Sequence, residues 1–149
     1  MSDNPKPALR QDFSVEYTYT RSTGPVIGDF LTALRDHKKI LGIKGSDGRV
    51  IVPPVEFDPQ TTEALSEMVE VGQQGEVVSY CWVKDPIAAH PLQQPFAWAM
   101  IQLDGADVPF IHCIEAPTED AMSIGMRVQA QWAEQRSGYM TDISSFQAV

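Results

Sequence analysis

The feature that most constrains this sequence is a succession of short alternating segments between residues 67 and 136, most of them set off by turn or loop signals. Met68-Val69-Glu70-Val71 runs into Gly72-Gln73-Gln74-Gly75. Glu76 to Val83 then sets Val77, Ser79, Cys81 and Val83 on one face and Val78, Tyr80 and Trp82 on the other, because strand side chains alternate. A proline-rich loop over residues 85–95 leads to a strand from Phe96 to Leu103, and Asp104-Gly105 turns the chain into Val108 to Ile114. Thr118-Glu119-Asp120-Ala121-Met122 reads as one helical turn capped by Thr118. Met126 to Trp132 alternates as a last strand. Short strands with one helical turn before the last predict a small, closed or nearly closed barrel.

Upstream the pattern changes. Residues 1–24 form an extension whose start is kept irregular by Pro5 and Pro7. Within it Phe13, Val15, Tyr17 and Tyr19 alternate as on a strand, either an edge strand of this chain's own sheet or an arm that packs on another chain. Residues 25–39 predict a helix, with Val26, Ile27, Phe30, Leu31 and Leu34 on its apolar stripe, Thr23 as cap, Pro25 in the first turn and Lys38-Lys39 at its end. Ile40-Leu41-Gly42-Ile43, the turn Ser46-Asp47-Gly48 and Arg49-Val50-Ile51-Val52 predict a hairpin that stops at Pro53-Pro54. Four segments follow: an extension over 1–24, a helix and hairpin over 25–66, the barrel over 67–136 and a tail over 137–149.

Composition narrows the function classes. Apolar residues make up 43% of the 149, with no run long enough for a membrane-spanning helix. The N-terminus lacks an apolar signal core, which points to the cytoplasm. Cys81 and Cys113 both lie in apolar runs and read as reduced, buried thiols. A net charge of −9 repels polyanions, so neither nucleic acid nor an anionic membrane is an expected partner.

Individual side chains offer few chemical constellations. Cys81 and His112 are the residue types of a nucleophile and its base, but a strand cysteine more often serves packing. Cys113 neighbours His112 on one strand, so the two point to opposite faces and do not share a metal. His90 lies in a long loop, where it either touches a ligand or caps a turn. Tyr80, Trp82, Trp98 and Trp132 have the character of stacking residues, yet Lys84 and Arg127 are the main cations around them, so most belong to the core. Arg49 and Arg127 suit phosphates or carboxylates, or simply solvent. Glu119-Asp120 opens a helical turn and complements its dipole. Phosphate-loop, dinucleotide and nucleophile-elbow fingerprints do not occur.

The order and spacing of several pieces carry a resemblance from about residue 25 onwards. These are Phe30-Leu31-Thr32-Ala33-Leu34-Arg35, Asp47-Gly48-Arg49, Val52-Pro53-Pro54, Gly75-Glu76-Val77-Val78-Ser79-Tyr80, Pro95 to Asp104, Ile124-Gly125-Met126-Arg127-Val128 and Thr141-Asp142-Ile143-Ser144-Ser145-Phe146. Together they resemble the acyl-CoA-associated OB-fold family with an N-terminal rubredoxin-like zinc ribbon. The resemblance implies a mainly β chain: a helix and a degenerate ribbon-like hairpin, then a five-stranded OB-fold barrel. It also implies that the four zinc-ligand positions fall on Lys44, Asp47, Asp58 and Thr61, a set that does not suit structural zinc.

Members of that family pair with thiolase-like or lipid-transfer-protein-like enzymes, some of them aldolases that cleave β-hydroxyacyl-CoA thioesters of steroid side chains. The expectation for this chain is therefore a non-catalytic subunit of a hetero-oligomer, binding no cofactor itself, with a CoA thioester as substrate of the complex. The alternative is an autonomous acyl-CoA or lipid-binding module. Candidate ligand- or partner-contacting residues are Tyr17, Tyr19, Phe30, Arg49, Pro53, Pro54, His90, Trp98 and Arg127, with no catalytic residue assigned.

Overall fold

A computed structural model describes residues 10–149. The irregular start expected around Pro5 and Pro7 lies outside them. Residues 10–23 carry no strand, so the alternation of Phe13, Val15, Tyr17 and Tyr19 finds no pairing partner among the described residues. All four side chains stand 63–83% exposed.

Helix α1 (Gly24–Thr32) continues into a π-helical turn, Ala33–His37. Val26, Phe30, Ala33 and Leu34 are its buried stripe, at the spacing that keeps side chains on one helical face. The expected cap is absent: Thr23 makes no side-chain bond, and the Gly24 N–H donates to Ser22 Oγ instead (3.2 Å). Lys38, at φ 52°, ends the helix in the left-handed conformation, two residues before strand β1.

β1 (Ile40–Lys44) pairs antiparallel with β2 (Val50–Ile51), as the Asp-Gly turn predicts. On its other side it pairs with β3 (Met68–Val71), giving a three-stranded sheet β2-β1-β3. Thus β3, expected as the first barrel strand, belongs to the ribbon-like sheet, and Gly72-Gln73 carries the chain onward without forming a hairpin. The backbone there is bound to the barrel: the Gly72 N–H donates to Asp104 C=O (2.7 Å), and Gln73 C=O accepts from the Ala130 N–H (2.8 Å).

The barrel is closed by β4 (Gln74–Val83), β5 (Phe96–Leu103), β6 (Phe110–Ile114), β7 (Arg127–Trp132) and β8 (Ile143–Ala148). Their order around it is β4-β5-β6-β8-β7. A 3-10 turn, Glu119–Ala121, lies between the third and fourth barrel strands, where an OB fold carries its helix; Thr118 does not cap it. The fifth strand comes from the segment expected to be a tail. Ile143 and Phe146, its large apolar side chains, are buried in the barrel core with Val77, Ala97, Ile101, Leu103, Ile114 and Val128.

β4 must pair with β5 on one side and β7 on the other. Gly75 makes that crossing fit, since a Cβ there would come within 2.5 Å of the Gln102 carbonyl oxygen. A β-bulge between Val77 and Ser79 then reverses the expected alternation. Val78 turns outward, Tyr80 and Trp82 align with the inward-facing Ala99 and Ala97, and Cys81 ends up exposed rather than buried.

Placing Phe146 in the core gives a direct check on the tail's role. Phe146→Ala is expected to cost about 3–5 kcal/mol in urea unfolding, while Val78→Ala at the exposed bulge costs about 0.5 kcal/mol or less. Equal costs would contradict the β8 assignment.

Candidate functional site

The barrel wall is weakest between β6 and β8. Their parallel seam holds one register pair, Ile114↔Phe146, extended by the Glu115 N–H donating to Phe146 C=O (2.8 Å). The start of β8 is fixed instead by the preceding turn. There the Asp142 carboxylate accepts the Ser137 and Gly138 N–H groups (2.8 Å each), and Asp142 C=O accepts the Ala133 N–H (2.9 Å). This turn sets Met140 and Thr141 on the rim of an open seam.

The opening is a cleft of about 530 Å³. Strands β5 and β6 give it Trp98, Phe110, Ile111, His112 and Cys113, and the β4–β5 loop adds Pro91 and Leu92. Met140, Thr141, Ile143 and Ser144 form the opposite wall, and Pro53 enters from the end of the hairpin. It therefore lies on the second and third barrel strands and the two loops beside them, the face OB folds use for ligands.

Every polar group in the cleft is neutral at ordinary pH. His112 aligns with the small inward-facing Ala99, is 7% exposed, and burial lowers its pKa from the usual histidine value. Burial likewise pushes the Cys113 thiol up to about 11. Its Sγ donates to Ser144 C=O (3.4 Å) and also lies 3.6 Å from His112 Nδ1, so these two neighbours, expected to point apart, meet in the wall of the cleft. Among the described residues no Asp, Glu, Lys or Arg lines the cleft.

Among the sequence-predicted residues, only Pro53 and Trp98 meet here. Phe30 is 2% exposed and packs α1 into the core, and Pro54 is also buried. His90 caps a turn: its Nδ1 accepts the Ile87 N–H (3.2 Å), its own N–H donates to Ile87 C=O (2.9 Å), and its ring packs edge-on to Phe96. Arg49 is held by Asp47, and Arg127 makes a two-point contact with Asp104. Tyr17 and Tyr19 stay on the exposed arm with ring centroids 5.8 Å apart. Ile111, Met140, Thr141 and Ser144 had no signal in the sequence that separated them from ordinary strand and tail residues.

The Cys81–His112 arrangement does not form. Register places Cys81 beside Trp98 and then Cys113 on the outer face, while His112 sits opposite Ala99 on the inner face. The register thus separates Cys81 from His112.

The ribbon positions converge around one carboxylate. Asp58, 5% exposed, accepts the Ser46 N–H on Oδ2 (2.8 Å) and the Gln60 and Thr61 N–H groups on Oδ1 (2.7 and 3.0 Å). These bonds hold its carboxyl down to about 2. Thr61 Oγ1 lies 3.2 Å from Ser46 Oγ, Lys44 pairs with Glu67, and Asp47 pairs with Arg49. A donor set of one ammonium, two carboxylates already engaged by N–H groups and one hydroxyl does not fit zinc. Among the described residues no group of three or more His, Cys, Asp or Glu is arranged to hold a metal ion.

Two measurements check this site. The Asp58 pKa is lower folded than unfolded, so its stabilisation is full above about pH 4 and is lost as pH falls towards 2. Asp58→Asn is expected to lower Tm by several degrees at neutral pH and to flatten the stability loss between those values. An unchanged acid profile would contradict the clasp. With a thiol-specific disulfide reagent, one thiol of the native chain reacts quickly, and Cys81→Ala removes it; rapid reaction of both would contradict the burial of Cys113.

The comparisons agree with this architecture. Residues 68–133 match the family described as the ChsH2 C-terminal OB-fold domain. A DUF35-family protein of unknown function from Sulfolobus solfataricus superposes with TM-score 0.63 at 20% identity, covering 85% of each chain. A chain of the Ltp2-ChsH2(DUF35) aldolase superposes with TM-score 0.62 at 18% identity, covering 86% of this chain and 98% of that one. At such identities the likeness is one of fold, and its extent is too large for the barrel alone. No curated protein matches the sequence. Residues 68–133 are thus similar in sequence to the ChsH2 C-terminal OB-fold domain, and the superpositions show the same fold over most of the chain.

Proposed function

We propose that this chain is a non-catalytic OB-fold subunit that binds a thiolase-like, lipid-transfer-protein-like enzyme. In that complex it supports the cleavage or transfer of an acyl-CoA thioester in the cytoplasm. The observation that carries the reading is the ChsH2-type barrel, a domain type whose solved relatives include a chain of the Ltp2-ChsH2(DUF35) aldolase. The local chemistry supports it: among the described residues, Cys81 and His112 lie on opposite faces of the sheet, and the polar groups of the cleft are neutral.

An exposed row of Phe13, Val15, Tyr17 and Tyr19 supports a partner as well, since strand-patterned apolar side chains gain from a second surface to pair with. The reaction we assign to the complex is retro-aldol cleavage of a β-hydroxyacyl-CoA such as a steroid side chain, with the reacting groups on the thiolase-like subunit. A second reading, an autonomous acyl-binding module, draws on the cleft between β6 and β8.

Co-expression with a thiolase-like enzyme encoded beside this chain tests the proposal. The two are expected to co-elute in size-exclusion chromatography, and Tyr17→Ala with Tyr19→Ala weakens their association at least tenfold. A chain that stays monomeric and leaves the enzyme's turnover unchanged would sink it.

A further inference from the structure

The β6–β8 cleft does not end at its own rim. A second hollow of about 480 Å³ opens beside it, floored by Phe30 and lined by Ile27, Leu31 and Tyr139. Both share Pro53, Met140 and Thr141, so the two meet along one line between helix α1 and the barrel. Among the described residues neither has a charged side chain in its lining. Met140 stands at the junction, an unbranched, flexible side chain suited to yielding between two compartments.

We infer that the two hollows form one trough that takes the uncharged, elongated apolar part of a small molecule, while any phosphate-bearing head stays off this chain. Each hollow falls within the volume range of small-molecule sites, and their apolar walls carry only a few neutral polar groups, as such sites do. A diphosphate would need free cations at the rim. The arginine nearest the rim in sequence, Arg136, donates to the carbonyls of Arg35 and Ala133, and Arg35, which approaches Gly138, is paired with Asp36. A net charge of −9 adds long-range repulsion of phosphate. For an acyl-CoA this divides the ligand: the acyl end fits the trough, and the CoA end falls to another protein. This assignment deepens the acyl-CoA reading above but rests on the trough, not on the identity of the partner.

The test titrates the isolated full-length chain by calorimetry with decanol, decanoyl-CoA and CoA. Decanol and decanoyl-CoA are expected to saturate with dissociation constants within about threefold of each other, and CoA to give no saturable heat. Two substitutions at exposed rim positions, Ile111→Asp and Thr141→Asp, each place a carboxylate beside the trough and weaken decanol at least tenfold, with Tm and far-UV dichroism reporting that they fold. Saturable binding of CoA alone, no saturation by decanol, or an unaltered dissociation constant in both folded variants would overturn the inference. If decanol never binds while Ile111→Asp blocks assembly with the thiolase-like enzyme, the surface docks protein, which also overturns it. Failure of the enzyme to assemble leaves these titrations unaffected, so the two proposals fail separately.

Discussion

The hairpin upstream of the barrel is held at its turn by one carboxylate. Asp58 reaches the turn at the tip of the hairpin and gathers three backbone N–H groups, one from that turn at Ser46 and two from its own loop at Gln60 and Thr61. A metal centre joins two loops by coordinating side chains from both. Here charge-assisted hydrogen bonds, stronger than neutral ones, make the same join with a single side chain. The held hairpin is then bolted to the barrel where Val50 and Asp107 exchange two bonds, the Val50 N–H to Asp107 Oδ2 and the Asp107 N–H to Val50 C=O, each 2.8 Å. Three residues on, Pro53 emerges as a wall of the cleft. A carboxylate in the ribbon thereby fixes a surface on the far side of the joint.

The barrel makes the complementary compromise. Four of its five seams are antiparallel ladders of three to eight residue pairs, and the fifth, between β6 and β8, is one residue pair. An OB barrel that closed this seam fully would have no cleft. Asp142 holds the turn that sets β8 aside, and Phe146 re-anchors the strand in the core just beyond, against Phe110 and His112. The open seam is thus framed by rigid parts, and its inner wall carries a histidine that burial keeps uncharged. The walls of that opening are mostly apolar, with the Cys113 thiol and the His112 ring among their few polar groups.

Much of the fold could be read from the residues, because alternation and turn chemistry are local. The helix stripe, the Asp47-Gly48 hairpin and strands β5 to β7 follow from patterns a few residues long. What escaped was set by distant partners. The bulge at Val78 reversed the faces of Tyr80, Cys81 and Trp82, and nothing in that run of apolar residues marks an extra residue. β3 alternates like a barrel strand but finds its partner in β1, and β8 looks like a tail because Ser144 and Ser145 interrupt its apolar residues. The site was less legible than the fold. Trp98 and Pro53 stood out by type, whereas Ile111, Met140 and Thr141 matter only because the seam opens there. Asp58 stood at an expected ligand position, and its role as a substitute for the metal emerged from the bonds it makes.

These pieces describe a chain that presents several surfaces: a ribbon-like hairpin held by hydrogen bonds, a barrel with one open seam and an exposed apolar arm. The metal-free clasp is the claim on which the placement of the cleft wall rests, and amide hydrogen exchange measured by NMR in the presence of a chelator tests it most directly. The N–H groups of Ser46, Gln60 and Thr61 are predicted to exchange slowly in the chelated native chain, and no differently when zinc is added. Fast exchange at all three, or protection that arises only with zinc, would contradict it.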